Sequence, residues 1–424
     1  MGGDEGRMGM KGQGEAGFML ERLWYRKPML LPERNPGEAV AEIHRWLAAA
    51  ITAVAGELGA VEPGRLVNLS LPLPTEGADL FLAGDSSWRS PNDGQRIDAF
   101  GEAACFGSDA ARRFEVECRR WHPLGVADAP PLAFFTVPPA TAPALPRIRV
   151  PRIALRTCGG DSIVTFGAWW SGGSPETITR GWLIDVGRIG VADTEPGRQE
   201  PLHILSTETE PSAAIWERRV RRASRAVAEG RLAKLVLARR LSLELSRPAD
   251  PARLADALAR LNPECCVFSL PCGSGQVIAA SPELLAVKRG ERLVSHALAG
   301  TAKRHDGPAE TARAAGALMA SAKERLEHAL VVKAIANSLA ELCEEVESLP
   351  EPVVLPLRFV QHLWTPLAGR LQPGVGQLDA VARLHPTPAV LGSPPQEAVE
   401  WLRDIGERRD GLYTGVVGWI DGDG

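Results

Sequence analysis

No stretch of this chain is long and apolar enough to suggest a membrane-spanning helix; the longest hydrophobic runs are strand-sized and broken by charge. Residues 1–20 lack both a continuous apolar segment and a small-residue cleavage site, so no secretory signal is read there. Glycine and acid in that stretch indicate a frayed tail, with later candidate starts at Met8, Met10 and Met19. The seven cysteines (Cys105, Cys118, Cys158, Cys265, Cys266, Cys272, Cys343) form no CxxC pair. An odd number without zinc spacing reads as reduced, buried thiols in a cytoplasm. Basic charge is not in excess: 48 Lys+Arg stand against 52 Asp+Glu, a net charge of −4 that offers nucleic acid no positive field. GxxxxGK[ST], HExxH and GxSxG are all missing, which excludes P-loop ATPases, zincins and the commonest serine hydrolases. The GxG of Cys272–Gly275 has neither a third glycine nor a following helix, so it is not a dinucleotide loop. The expectation is a soluble, cytoplasmic enzyme with neither a nucleic-acid nor a membrane partner.

What the chain does contain is core material: 424 residues, 45% of them hydrophobic. Ile43, Leu47, Ile51, Val54 and Leu58 recur at helical spacing and predict a helix over Pro36–Val61. Short apolar runs separated by Gly, Asn, Asp and Pro predict hairpins over residues 66–107, and Ala111–Trp121 reads as a helix. Five prolines in the fourteen residues Pro138–Pro151 predict a surface connection, followed by strands Ile153–Thr157 and Ile163–Trp170. Character changes near residue 205. Pro211–Ala228 is a basic amphipathic helix stopped at Gly230, and Lys234–Leu245 alternates with period two as a strand. Val277–Leu298 reads as strand, turn, strand, and Ser321–Val346 as one long helix. Phe359–Leu371 is extended, Leu378–Leu384 and Gln396–Glu407 are helices, and Leu412–Ile420 is a last strand. Hairpins with segregated helices point to an α+β fold, divided into a tail (1–20), an N-terminal part of the body (21–204) and a catalytic part (205–424).

Single residues carry weak signals. Glu283, in Ser281–Pro282–Glu283, stands before the apolar Leu284–Val287, and Lys234 opens another apolar run; each alone reads as a solvated strand-end charge. Glu327 shares a helix face with Val331 and Ala334, where a carboxylate needs a partner, a proton or a metal. Its neighbour His328 reads as packing or capping rather than as a ligand. His362 lies in an apolar extended run, and His385–Pro386–Thr387–Pro388 stiffens a helix end. Gly415 and Gly418 clear side chains from one strand and permit close approach of another backbone or a ligand.

Together the motifs are specific. KLVLAR (Lys234–Arg239), SPELL (Ser281–Leu285), HALAGT (His296–Thr301), EHALVV (Glu327–Val332), QHLWTPLAG (Gln361–Gly369), LHPTPAVLG (Leu384–Gly392) and YTGVVGW (Tyr413–Trp419) occur in this order. The set resembles the chorismate-binding enzymes, strongly over residues 205–424 and loosely before them. The resemblance implies two stacked antiparallel β-sheets flanked by helices. Within the family, lysine at the position of Lys234 accompanies addition of water, whereas glutamine accompanies addition of ammonia. Ala299 stands where the aminodeoxychorismate synthases carry a ring-attacking lysine, so covalent capture is excluded. The combination resembles an isochorismate synthase of the menaquinone or siderophore type. The implied reaction adds water at C2 of chorismate and expels the C4 hydroxyl. Lys234 would be general base and Glu283 general acid, which requires the lysine pKa pushed down by roughly three units and the glutamate pKa pushed up. Glu327 matches a Mg²⁺ ligand, and Gly300, Thr301, His362, Ala389 and Tyr413 match substrate-pocket positions. No glutaminase subunit is expected, and the protein is expected to be a monomer.

Asp421–Gly422, just after an apolar strand, is a hairpin signal without a return strand. The family continues there with central strands, a carboxylate-binding arginine and another acidic metal ligand. The expectation is therefore a C-terminally truncated chain with low or no turnover, in which Leu412–Ile420 is an unpaired apolar edge. Salicylate synthase and a non-catalytic remnant of an anthranilate-synthase-like protein are the alternatives.

Overall fold

Apolar spacing sets the first layer of the structure. In a computed structural model, described over residues 36–73, 80–91, 94–107, 114, 116–118, 120–124, 131–142, 146–159, 161–191, 201–409 and 411–422, helices Pro36–Ala53 and Ala55–Ala60 follow one another. Ile43, Leu47, Ile51, Val54 and Leu58 are all buried, as their spacing predicts. They pack with Trp182 of helix Pro175–Val186 against Val67, Leu69, Val164 and Phe166 of the largest sheet. The predicted tail and its candidate start residues lie outside the described residues. So does part of the predicted helix at Ala111–Trp121, of which Phe114 and residues 116–118 are described and helical, and residues 120 and 121 are described and not helical.

The fold is α+β, with strands almost all antiparallel. An eight-stranded sheet runs in the order Gly275–Ser281, Cys266–Cys272, Ser86–Arg89, Arg96–Phe100, Ile153–Cys158, Asp161–Trp170, Arg65–Leu73, His122–Leu124, with only the last pair parallel. Residues on both sides of position 205 thus share one sheet: Val267–Ser269 pair with Ser87–Arg89. A five-stranded sheet is built around Arg292–Lys303 and Val360–Leu371, each twelve residues long. The helix Ala322–Leu342 covers it through Val331, Ile335 and Leu339. A four-stranded sheet contains Val416–Ile420, Ala133–Val137, Arg147–Val150 and Ala104–Phe106, in that order, and three two-stranded ribbons complete the described strands. Among the described residues no helix is long and apolar enough to cross a membrane.

Several expectations change. Arg147–Val150, read as part of a proline-rich surface connection, is a strand with Ile148 and Val150 buried. The prolines flank it without removing a donor from its interior. The last strand is paired on one side: Val416–Ile420 lies against Ala133–Val137, with Val416 and Ile420 buried, and it forms one edge of the four-stranded sheet, so among the described residues its other side carries no strand, as expected. Gly415 and Gly418 explain the fit. A Cβ on Gly415 would stand 2.3 Å from the Val137 carbonyl oxygen, and one on Gly418 would stand 2.5 Å from the Phe135 ring. The close approach predicted from these glycines is made by protein.

The alternating run Lys234–Leu245 divides into Lys234–Leu235, paired with Gly392–Ser393, and Arg240–Leu245, paired with Ile204–Glu210 in an exposed ribbon. The long helix ends at Leu342, because Cys343–Ser348 continues as a strand against Val360–Leu371. Cys105 and Cys158 are exposed rather than buried.

Candidate functional site

Lys234 is positioned by backbone pairing from both sides. Ala233 N–H donates to the Ser393 carbonyl (2.8 Å) and Val236 N–H to the Leu391 carbonyl (2.9 Å). Leu235 and Leu237 pack on Leu391, Ala398 and Leu402, and side chains alternate in extended backbone, so Lys234 points the other way. Gly392 makes the crossing possible: a Cβ there would lie 2.6 Å from the Lys234 carbonyl oxygen and 2.9 Å from Ala398 Cβ. Gly392→Ala is therefore expected to destabilise the fold by about 2–3 kcal/mol, since backbone and a packed helix must both shift. Chemical denaturation measures this, and an unchanged midpoint would show that the crossing is slack.

The Lys234 ammonium reaches across to the long helix. Its Nζ lies 3.0 Å from Glu327 Oε1, with the side chains 11% and 30% exposed. On the helix's own face Lys323 Nζ is 3.6 Å from Glu327 Oε2 and 2.7 Å from Glu324 Oε1. The register of this helix is set at its start, where Ser321 Oγ accepts the Glu324 N–H. Lower down, His328 is buried and fully engaged. Its Nδ1 lies 3.2 Å from the Ala299 carbonyl oxygen, which only accepts, so Nδ1 carries the proton and Nε2 accepts from the Thr365 hydroxyl at 2.8 Å. Burial pushes its pKa down. The packing role expected for it stands, and it fixes the helix to both long strands.

Gly300 forms a β-bulge between those strands. The pairing with Val360–Leu371 shifts between Ala299 and Thr301, Gly300 has φ +79°, and a Cβ on it would meet the Glu324 carbonyl oxygen and Leu363 at 3.3 Å. The bulge turns Thr301 toward the helix and the neighbouring strand. Thr301 N–H donates to Glu324 Oε2 (3.2 Å), and its hydroxyl lies 3.0 Å from His362 Nδ1. His362 Nδ1 is also 3.3 Å from the Gly300 carbonyl oxygen, which places the proton on Nδ1 and leaves Nε2 as an acceptor. Burial pushes the His362 pKa down, so the ring is neutral near pH 7. Burial also pushes Glu324 up, but the Lys323 ammonium and the Thr301 N–H together hold it below the usual carboxylate range.

Glu283 follows the edge strand Gly275–Ser281, and its N–H donates to Ser281 Oγ (3.3 Å). Leu285, two residues on, packs into two apolar clusters and keeps this short link from swinging out. Burial pushes the Glu283 pKa from 4.5 to about 7, against the opposing charge of Lys234. An acid of this kind holds a proton near neutrality and can give it up.

The structure thus brings together Lys234, Glu327, Glu283, Gly300, Thr301 and His362. Ala389 packs against the cluster beneath the long helix. Tyr413 is 59% exposed. Sequence reasoning missed Glu324, which lies one turn before Glu327, and the buried pair Glu407–Arg409, which sits in a charged ERRD run that reads as surface.

Comparison with known proteins identifies the family. The sequence profile described as chorismate binding enzyme matches residues 143–424, about two thirds of the chain. The chain belongs to the chorismate-binding enzymes. Isochorismate synthase MenF of Bacillus subtilis is 31% identical over 273 residues, 64% of this chain and 57% of that protein. Isochorismate synthase DhbC of the same organism is 34% identical over 242 residues, 55% of this chain and 61% of its own length. The match therefore spans a little over half the length of these relatives. Among solved structures, MenF of Escherichia coli, titled the menaquinone-specific isochorismate synthase, superimposes with a TM-score of 0.73 at 25% identity, covering 89% of this chain and 88% of that one. Anthranilate synthase component I of Streptococcus pneumoniae shares the fold, with a TM-score of 0.55 at 19% identity.

Proposed function

We propose that this chain carries the isomerisation of chorismate to isochorismate, by addition of water at C2 and loss of the C4 hydroxyl. The observation that carries the reading is the opposed pair in one cleft: Glu283 with its pKa at about 7, and Lys234 as the charge that acts on it. An acid holding its proton at neutral pH serves the leaving hydroxyl, and an amine serves the water. In the present arrangement Lys234 is paired as an ammonium with Glu327, so it has to leave that carboxylate and give up a proton to solvent before its nitrogen offers a lone pair to water. Ala299, at the position where the resemblance puts the ring-attacking lysine of aminodeoxychorismate synthases, has no nucleophile to capture the ring, which favours direct addition of water. Thr301, the neutral His362 and the backbone of Gly300 supply polar contacts for substrate oxygens, and Ala389 and Tyr413 complete the wall.

A divalent cation fits Glu327. Its carboxylate is half-exposed in the cleft, and the positive charges now against it are the ammoniums of Lys234 and Lys323. Among the described residues no cluster of three or more His, Cys, Asp or Glu converges. Mg²⁺ would accordingly be held by one or two carboxylates, Glu327 with Glu324 one turn before it, and otherwise by water and a substrate oxygen, its usual mode. When bound, it would offset the charge of the substrate carboxylate. The names of the relatives favour menaquinone or catechol siderophore synthesis as the use of the product. Addition of water needs no glutaminase partner, and the reading includes a soluble monomer of the cytoplasm.

Product analysis after incubation with chorismate, with Mg²⁺ and with EDTA, tests this reading. Isochorismate is expected, at the low rate that the sequence reading assigns to this chain, dependent on the metal and indifferent to ammonium. Stoichiometric pyruvate would make the chain a salicylate synthase, an ammonium-dependent aromatic amine would make it an aminating enzyme, and no product at all would leave a non-catalytic member of the family.

A further inference from the structure

Below the Lys234 segment lies a buried ion pair that the reaction above does not use. The side chains of Arg409 and Glu407 are 1% and 2% exposed. Arg409 Nε donates to Glu407 Oε1 (2.9 Å), Nη2 to the Val236 carbonyl (2.7 Å), and Nη1 to the Val390 carbonyl (2.6 Å) and the Thr414 hydroxyl (3.1 Å). Glu407 Oε2 in turn accepts the Ala238 N–H at 3.0 Å.

The anchored residues lie on the segments that carry site positions. Val236 and Ala238 follow Lys234 on the same segment, Val390 follows Ala389, and Thr414 follows Tyr413. Thr414 is also the one non-glycine residue with positive φ among the described residues, at +61°. A β-branched residue pays a steric penalty in that conformation and keeps it only when its surroundings hold it there. The Arg409 bond to its hydroxyl is such a hold.

We propose that Arg409, oriented by Glu407, is a positioning residue that sets the placement of Lys234 relative to the Ala389 and Tyr413 walls. Desolvating two charges is costly, and a buried pair of this kind is weak evidence for stability, because apolar residues often fill such a place as well. A planar guanidinium offers something apolar residues lack: donors in a fixed fork, which here bind carbonyls on two separate segments and a hydroxyl on a third. Three chain segments far apart in sequence are thereby held in one mutual geometry. A misplacement of a catalytic group by about an ångström is enough to slow a reaction by orders of magnitude.

The inference rests on the reading of Lys234 as the base, and its test contains one readout that does not. Arg409→Lys keeps the charge opposite Glu407 but replaces the fork by a single point donor. With chorismate, kcat is expected to fall by about 30- to 100-fold while KM stays within about threefold. Independently of turnover, labelling of Lys234 by an amine-reactive reagent, followed by mass spectrometry, is expected to rise severalfold, with labelling of Lys288 unchanged. Methylguanidinium is expected to restore part of kcat in Arg409→Ala. Should Arg409→Lys fail to fold, Glu407→Gln, which keeps the acceptor for Ala238 and removes the charge, is read in the same two ways. Unaltered kcat and unaltered Lys234 labelling would overturn the proposal. So would Lys288 labelling that rises in step with Lys234, because that marks general loosening. If the product is not isochorismate, the labelling still decides whether Arg409 places Lys234.

Discussion

Lys234→Ala is expected to lower kcat by roughly 10³-fold or more while leaving the affinity for chorismate within about threefold. A positioned general base acts in the transition state and contributes typically 10²–10⁴ in rate, so its loss belongs in kcat rather than in ground-state binding. The segment itself should survive the substitution, because it is held by backbone bonds to Ser393 and Leu391 and by Leu235 and Leu237, not by the lysine side chain. The Glu327 carboxylate loses its ammonium partner at 3.0 Å, but it is half-exposed and water can replace the contact. Steady-state kinetics with a parallel titration of chorismate against tryptophan fluorescence separates the two effects. Equal losses in kcat and in binding would show that Lys234 serves the substrate's ground state or the fold instead of the water.

Glu283→Gln is expected to be comparably damaging, and to change the response to pH as well. The acid works in its protonated form, so with a pKa of about 7 the wild-type kcat/KM should fall about tenfold per pH unit above neutrality. The glutamine variant, unable to donate, should lose at least 10²-fold in kcat at pH 6 and show no such limb. Stability gives a second check with a fixed sign. Because burial raises the folded-state pKa from 4.5 to about 7, the folded chain holds this proton more tightly than the unfolded chain. Its contribution is therefore fully present below about pH 4.5 and is lost as pH rises through about 7, on the order of 3 kcal/mol in all. Denaturation at pH 5 and at pH 8 should show that part of the pH dependence disappear in the variant. A wild-type rate that stays flat from pH 6 to pH 9 would remove Glu283 from the acid role.

The order of seven motifs was enough to name the family, because each motif is a local string whose residue types are tied to one kind of contact. Hydrophobic spacing was similarly reliable where a face packs on a sheet, as in Ile43–Leu58. It misled where burial is decided by distant partners. Lys234–Leu245 alternates like a half-buried strand, yet it divides, because Gly392 and Ser393 capture its beginning and Ile204–Glu210 its end. Ser321–Val346 has no helix-breaking residue, yet the helix stops at Leu342 because the edge of Val360–Leu371 takes Cys343–Ser348 as a strand. Backbone hydrogen bonds to a neighbour far along the chain outweigh local propensity, and local propensity is all that a window of sequence contains.

The same division runs through the site. The family resemblance carried by the motifs made a lysine, a glutamate of raised pKa and a helix-borne carboxylate the candidates and put Gly300 in the pocket, and the spacing of Gly415 and Gly418 permitted something to come close. Only the tertiary structure decided that Lys234 meets Glu327, that Thr301 bridges Glu324 and His362, and that Phe135 and Val137 fill the space over Gly418 and Gly415. It alone decided that Arg409 and Glu407, written in a run of charges that reads as surface, are nearly sealed from water. The physical reason is that charge pairing, desolvation and pKa depend on distance and burial, and these are set by segments tens to hundreds of residues apart that the fold places side by side.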